Sequence, residues 1–63
     1  MKITLYDNAS RALLFSGDRE AARRAGIKYL PSHEFAIRGE YRRIVNGTVY
    51  NDGTLAFWLS SPY

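Results

Sequence analysis

Residues 34–59 contain three glycine-bearing turn signals separated by short runs of β-branched and aromatic residues. This spacing leaves room for strands and predicts an antiparallel meander. Asn46-Gly47 predicts a two-residue type I′ hairpin, because both central residues of that turn need a positive φ. Gly39-Glu40 fits a type II′ turn, and Asn51-Asp52-Gly53 fits a three-residue loop with glycine in the left-handed position.

The three turns give the meander one register, which pairs Phe35 with Ile44 and Val49 with Leu55. Because partners across strands share a face and successive residues alternate, the register sorts the side chains into two faces. One face is predicted to be the core: Phe35, Ile37, Ile44, Val49, Leu55, Phe57 and Leu59, with Arg42 at its rim. The other is predicted to be open: Glu34, Ala36, Arg38, Tyr41, Arg43, Val45, Thr48, Tyr50, Ala56 and Trp58.

The N-terminal part of the chain predicts a hairpin. Residues 2–6 alternate between apolar and polar side chains, as a half-buried strand does. Residues 7–11 are polar and have the length of a hairpin turn. Residues 12–16 form a short apolar run that predicts the second strand.

A short helix is predicted over residues 18–25. Ser16 or Asp18 can cap its first turn, and Gly26 can end it in the left-handed conformation. The apolar side of the helix contains only alanine, so we expect the helix to lie close to the sheet. Residues 27–30 precede Pro31, which blocks a longer helix, and are expected to close the core under the helix.

These elements predict one small α+β domain over residues 1–63, in the order β-β-α-β-β-β-β. The N-terminal hairpin and the C-terminal meander would form an antiparallel sheet with the helix on one face, and residues 60–63 would be a loose tail. A chain of 63 residues buries only about 60% of its unfolded surface. Its stability must therefore come from good packing, from a partner or from formation of a homodimer.

Little in the chain points to catalysis, to a metal or to a cofactor. It has no cysteine and one histidine, His33, which excludes disulfides and makes a zinc site a poor fit. No serine lies in a nucleophile motif, no phosphate-binding glycine loop is present, and the carboxylates are scattered. We therefore predict a protein that is not an enzyme.

No apolar run approaches the roughly 20 residues that span a membrane. The segment after Tyr6 turns polar, so no signal-peptide core is visible. The predicted location is the cytoplasm.

The basic residues indicate the chemistry of a partner. The formal net charge is +3, and seven of the nine basic residues are arginine. Arginine suits bidentate contacts with anions and stacking on flat rings. This balance favours an acidic protein patch or a nucleic acid as the partner.

The predicted open face is therefore the candidate binding site. Flat rings and cations alternate on it, and the helix arginines would steer an acidic partner. Two functions fit: a protein-directed regulator or inhibitor, of the kind typical of phage and mobile-element accessory proteins, or a nucleic-acid-binding protein that stacks bases. A third interpretation is that these residues only stabilise the sheet surface. The candidate residues are Arg38, Tyr41, Arg43, Tyr50 and Trp58 on the sheet, with Arg19, Arg23 and Arg24 on the helix.

Overall fold

The computed structural model describes residues 2–63. Its elements are β1 (Lys2–Asp7), β2 (Leu13–Asp18), α1 (Arg19–Arg24), β3 (Ile27–Leu30), β4 (Glu34–Ile37), β5 (Glu40–Val49) and β6 (Leu55–Leu59). They form one six-stranded sheet in the order β2-β1-β6-β5-β4-β3. The predicted α+β class and element order are confirmed. The sheet is mixed, however, because β1 and β6 are parallel while every other neighbouring pair is antiparallel.

The helix connects the two edges of the sheet. It follows β2 at one edge directly and precedes β3 at the other edge by two residues. In a flat sheet these edges would be about 24 Å apart, since neighbouring strands are spaced by about 4.8 Å. A six-residue helix rises only about 9 Å. The sheet must therefore curl, and α1 packs against both β2 and β3.

The curl gives the sheet an inner face, which carries the helix, and an outer face. Cross-strand pairing places the core residues Leu5, Phe35 and Leu59 on the inner face, with Ile3, Phe15, Ile27, Ile37, Ile44, Leu55 and Phe57 beside them. The outer face carries Thr4, Tyr6, Ala36, Tyr41, Arg43, Thr48, Ala56 and Trp58. The paired residues of the meander lie on the faces predicted for them, whereas Arg38 lies in a turn and Val45 is unpaired.

The helix has the caps that its sequence predicts. The Asp18 carboxylate accepts a hydrogen bond of 2.8 Å from the Ala21 amide, which satisfies one of the free N–H groups of the first turn. Gly26 follows the helix with φ of 78°, a conformation that favours glycine. Ala22 is buried against the sheet, so the helix approaches closely, as its alanines predict.

The hairpin predicted at Asn46-Gly47 is wrong. Both residues lie inside β5, which runs without interruption over Glu40–Val49. The register with β6 shifts between Ile44 and Asn46, so Val45 is the extra residue of a β-bulge. Gly47 has a packing role instead of a turn role: a Cβ on it would lie 3.0 Å from the Phe57 ring.

The two other turns differ in outcome. The loop at Asn51-Asp52-Gly53 is confirmed, with φ of 87° at Gly53 and Val49 opposite Leu55. The turn predicted at Gly39-Glu40 is wrong by one residue, because Arg38 and Gly39 occupy it, with φ of 51° and 85°. Phe35 consequently pairs with Arg42 instead of Ile44. The pairing moves by two residues, so no side chain changes face.

The strands that follow the helix are not the four that the turn signals predict. Ile27–Leu30 forms β3 and pairs with β4, while the two predicted strands around Asn46-Gly47 merge into β5. Val49, predicted to lie in the core, is 66% exposed. It lies beyond the part of β5 that pairs with β4, which ends at Arg43, and the groups that cover the inner face elsewhere do not reach it.

Residues 60–63, expected to be a loose tail, continue the path of β6 beside β5. The Ser60 amide donates to the Arg43 carbonyl at 2.8 Å, and the Tyr63 amide donates to the Tyr41 carbonyl at 3.1 Å. The Ser60 hydroxyl in turn accepts from the Arg43 amide at 2.9 Å.

Candidate functional site

The centre of the outer face is a stacked pair of aromatic rings. Trp58 on β6 lies beside Tyr6 on β1, with their ring centroids 5.4 Å apart and their planes 19° from parallel. Rings on neighbouring strands can stack in this way only if both stand upright on the sheet. Both side chains are intermediate in exposure, so the stack is partly open to the surroundings.

Small buried residues surround this pair. Thr4 and Ala56 are paired across β1 and β6 and are 8% and 0% exposed. The Thr4 hydroxyl is 3.5 Å from the Ser16 hydroxyl on β2. The helix packs on the inner face, and no other element among residues 2–63 crosses the outer one.

Tyr41 and Tyr50 are on this face but far from each other. Each is 48% exposed. Tyr41 lies near the start of β5 and Tyr50 just after its end, so they are at most about 30 Å apart at roughly 3.3 Å per residue. The aromatic residues are therefore spread along the outer face, with Trp58 between the two tyrosines.

The two sheet arginines have different surroundings. The Arg43 guanidinium lies 5.8 Å from the centroid of the Tyr63 ring, which is a cation–π contact. Arg38 lies in the turn between β4 and β5 and is exposed. Arg43 is thus held beside the aromatic rings, and Arg38 stands at the end of the sheet.

The helix arginines lie on the other side of the molecule. Arg19 and Arg23 border a groove between α1 and the inner face. Arg23 also donates to the Glu20 carboxylate at 2.7 Å, in an exposed pair. Arg24 is exposed and lies outside the groove. The predicted site residues therefore belong to two separate surfaces.

The groove has a volume of about 670 Å³. Its floor is apolar and comes from four strands. Lys28 on β3 also lines it, and no acidic side chain does. The main apolar lining residues are Ile3, Ile27, Tyr29, Phe35, Leu55 and Phe57.

Asp7 and Arg42 form a shielded ion pair at the opposite end of the inner face. Arg42 Nη1 donates to Asp7 Oδ1 at 3.0 Å, and the two side chains are 13% and 15% exposed. The pKa of Asp7 is lowered, first by the hydrogen bond from the Ser10 amide, then by the Ser10 hydroxyl and by Arg42. This pair holds β1 against β5, across β6, and is structural in character.

His33 is exposed, in the turn between β3 and β4, with φ of 63°. Its Nδ1 is 3.5 Å from the Tyr29 hydroxyl. Within residues 2–63, no three histidine or carboxylate side chains are grouped as metal ligands. That the chain is not an enzyme stays a prediction.

Comparison with protein-family models, curated proteins and solved structures gives no match. In the described part of the chain, no helix has the length and apolar character needed to cross a membrane.

Sequence reasoning missed four residues of these surfaces. Tyr6 falls on the polar side of the predicted first strand, but only the parallel pairing of β1 with β6 brings it to Trp58. Tyr63 belongs to the predicted tail. Lys28 and Tyr29 belong to the predicted connection after the helix, although their alternation with Ile27 and Leu30 is compatible with a strand.

Proposed function

We propose that this chain is a small noncatalytic binding module that occupies the surface of a protein partner through its outer face. It would act as a regulator or inhibitor of the type found among phage and mobile-element accessory proteins. The observation that carries this proposal is the Tyr6–Trp58 stack, which stands on a face that no described element covers. The cytoplasm remains the predicted location.

The ring geometry favours a protein over a nucleic acid. A base stacks on the flat face of an aromatic ring. Tyr6 and Trp58 use one face each against the other, and Tyr63 holds the Arg43 guanidinium. Tyrosine and tryptophan side chains, which combine a large apolar ring with one polar group, are instead the kind of anchor that protein interfaces use.

The distribution of charge supports the same proposal. Arg19 and Arg23 lie around the groove on the inner side and cannot follow a phosphate backbone that crosses the outer face. The outer face keeps Arg43 near its aromatic residues, with Glu34 directly across the strands from it. Mixed charge around aromatic anchors is typical of protein interfaces.

A photocrosslinking experiment tests this function. Benzoylphenylalanine replaces Tyr50 in one protein and Arg24 in a control, since both positions are exposed and only the first lies on the outer face. In a lysate of cells that carry the protein, we expect a protease-sensitive adduct from position 50 and none from position 24. Tyr50→Ala, or Trp58→Ala if it folds, should weaken binding of the captured protein by roughly thirtyfold.

A titration with single-stranded DNA decides between the two classes of partner. Trp58 fluorescence is followed at low and at moderate salt. A protein-directed module should show no quenching at either salt concentration. Quenching that salt reverses, with a log–log slope of about one per phosphate neutralised, would replace the proposed function with nucleic-acid binding. Adducts from positions 50 and 24 alike would refute the outer face as the contact surface.

A further inference from the structure

β3 leaves one side of its backbone unpaired. It is an edge strand of the sheet and pairs only with β4. The Gly26 carbonyl accepts from the Arg38 amide at 3.2 Å, on the β4 side. Because the backbone groups of successive residues point to opposite sides of a strand, those of Ile27 and Tyr29 point away from β4. Among the described residues, they have no backbone partner on that side.

The apolar groove reaches this free edge. Ile27, Lys28 and Tyr29 all line it, although consecutive side chains of a strand point to opposite faces. The groove therefore extends around the edge of β3 as well as over the inner face. Tyr29 is 54% exposed there, so a ligand can reach this part of the groove.

The charge around the groove has one sign. Arg19 and Arg23 lie on consecutive turns of α1, at i and i+4 on one side of the helix, and Lys28 stands on the strand side. Only Arg23 has an acidic partner, Glu20, which is on the helix and outside the lining. A ligand with apolar groups and more than one negative charge complements this rim.

We propose that the edge of β3 takes up an extended acidic segment of a partner protein, which adds to the sheet as a strand and inserts every second side chain into the groove. Strand addition pairs the free N–H and C=O groups of Ile27 and Tyr29, and alternate side chains of an added strand share one face. The groove volume of about 670 Å³ lies within the range of ligand sites. A hydrocarbon chain such as a fatty acid fits less well, since it cannot pair the backbone edge.

This second surface is distinct from the outer face, so each proposal can fail without the other. The probe is a displayed library of short random peptides, selected on the wild-type protein. We expect enriched peptides in which apolar and acidic residues alternate. In ¹H–¹⁵N spectra, their largest shifts should fall on the amides of Ile27 and Tyr29.

Charge reversal on the groove supplies the matched comparison. The double variant Arg19→Glu with Lys28→Glu should bind the selected peptides at least tenfold more weakly, which corresponds to about 1.4 kcal/mol. Arg24→Glu reverses one charge on the same helix outside the groove and should stay within twofold. Thermal unfolding followed by Trp58 fluorescence checks that each variant folds.

Three results would overturn the proposal. The first is a selection that yields no acidic, alternating sequences. The second is peptide binding that Tyr50→Ala abolishes and the groove variant leaves unchanged, which would move the peptides to the outer face. The third is binding of dodecanoate to the wild-type groove, with loss in the groove variant and no enriched peptide, which would assign the groove to an anionic amphiphile.

Discussion

At the scale of single residues, Asp7 and Arg42 connect distant parts of the chain. Asp7 Oδ2 accepts from the Ser10 amide at 2.9 Å and from the Ser10 hydroxyl at 2.7 Å, while Oδ1 receives Arg42. Arg42 also donates to the Ser60 carbonyl at 3.2 Å, but its Nε is buried without a hydrogen-bond partner among residues 2–63. The carboxylate of Asp7 therefore neutralises the Arg42 guanidinium on the inner face.

The lowered pKa of Asp7 predicts a loss of stability in acid. A carboxyl whose folded-state pKa lies below its unfolded value stabilises the fold above the unfolded pKa, near 3.8, and loses that contribution as the pH falls through the folded pKa. Asp7→Asn should therefore be less stable than wild type at pH 7. The free energies of unfolding of the two proteins should converge at low pH, where Asp7 is protonated in both the folded and the unfolded protein.

Urea unfolding at a series of pH values from about 7 downward, past the unfolded pKa of Asp7 near 3.8, measures this convergence, which is complete only below the lowered folded-state pKa. If the difference in the free energy of unfolding between the two proteins stays constant with pH, the charge of Asp7 contributes nothing to stability. The loss in Asp7→Asn would then come from a poor fit of the introduced amide.

At the scale of elements, the bulge in β5 explains why the predicted faces are right although the predicted hairpin is wrong. In a regular strand, Ile44 and Val49 would lie on opposite faces, because they are separated by an odd number of positions. The extra residue at Val45 restores them to the same face. A two-residue turn and a one-residue bulge thus produce the same alternation, and the sequence pattern cannot tell them apart.

What distinguishes them is a tertiary contact. The Phe57 ring lies across Gly47 from the neighbouring strand, which supplies a reason for glycine without a positive φ. The loop at Asn51-Asp52-Gly53 was predictable, since its glycine has the left-handed φ that the local sequence indicates. The sequence therefore predicts the turn at Gly53, where the backbone conformation explains the glycine. It does not predict the role of Gly47, where a contact with a distant residue explains it.

The candidate surfaces also differ in whether the local sequence predicts them or whether they depend on tertiary contacts. That Tyr41 and Tyr50 lie on an open face followed from the alternation of side chains along two predicted strands. The Tyr6–Trp58 stack depends on the parallel pairing of β1 with β6, and the groove depends on α1 and β3 meeting across the curl. Neither of these leaves a local pattern in the sequence.

Gly47→Ala tests the contact that decides the course of β5. Alanine gains up to about 1 kcal/mol by restricting the unfolded chain, but its methyl group meets the Phe57 ring, and overpacking costs about 1–3 kcal/mol. We expect a net loss of about 1 kcal/mol in urea unfolding. Thr48→Ala, next to it and directed outward, should change the free energy of unfolding by less than about 0.5 kcal/mol.

A second substitution, at Phe57, shows whether the cost of Gly47→Ala comes from packing. With Phe57→Leu in the background, Gly47→Ala should cost less than about 0.5 kcal/mol, because the smaller side chain removes the clash. An unchanged cost in that background would point to the backbone conformation of Gly47, as a turn requires, instead of to packing.

At the scale of the whole molecule, stability rests on very few residues. Leu5, Phe35 and Leu59 form the buried cluster, with partly buried neighbours around them. A domain of this size is stable by roughly 3–9 kcal/mol, at about 0.05–0.15 kcal/mol per residue. Each of these side chains therefore represents a large part of the total.

Leu59→Ala should cost about 2–5 kcal/mol and leave much of the protein unfolded at 37 °C. Leu13→Ala removes the same atoms from a side chain that is 59% exposed and should cost less than about 0.5 kcal/mol. Thermal unfolding followed by circular dichroism measures both. Equal losses in the two variants would contradict the position of the core on the inner face.

The parallel pairing of β1 with β6 has a consequence for how the chain folds. This ladder joins Ile3 to Leu55 and Leu5 to Phe57, residues from opposite ends of the chain, and it lies in the middle of the sheet. Closing so long a loop costs conformational entropy, and this cost arises before the buried apolar side chains can stabilise the structure. No run of consecutive strands can assemble the core alone, so refolding should be one slow, all-or-none step without a stable partial structure.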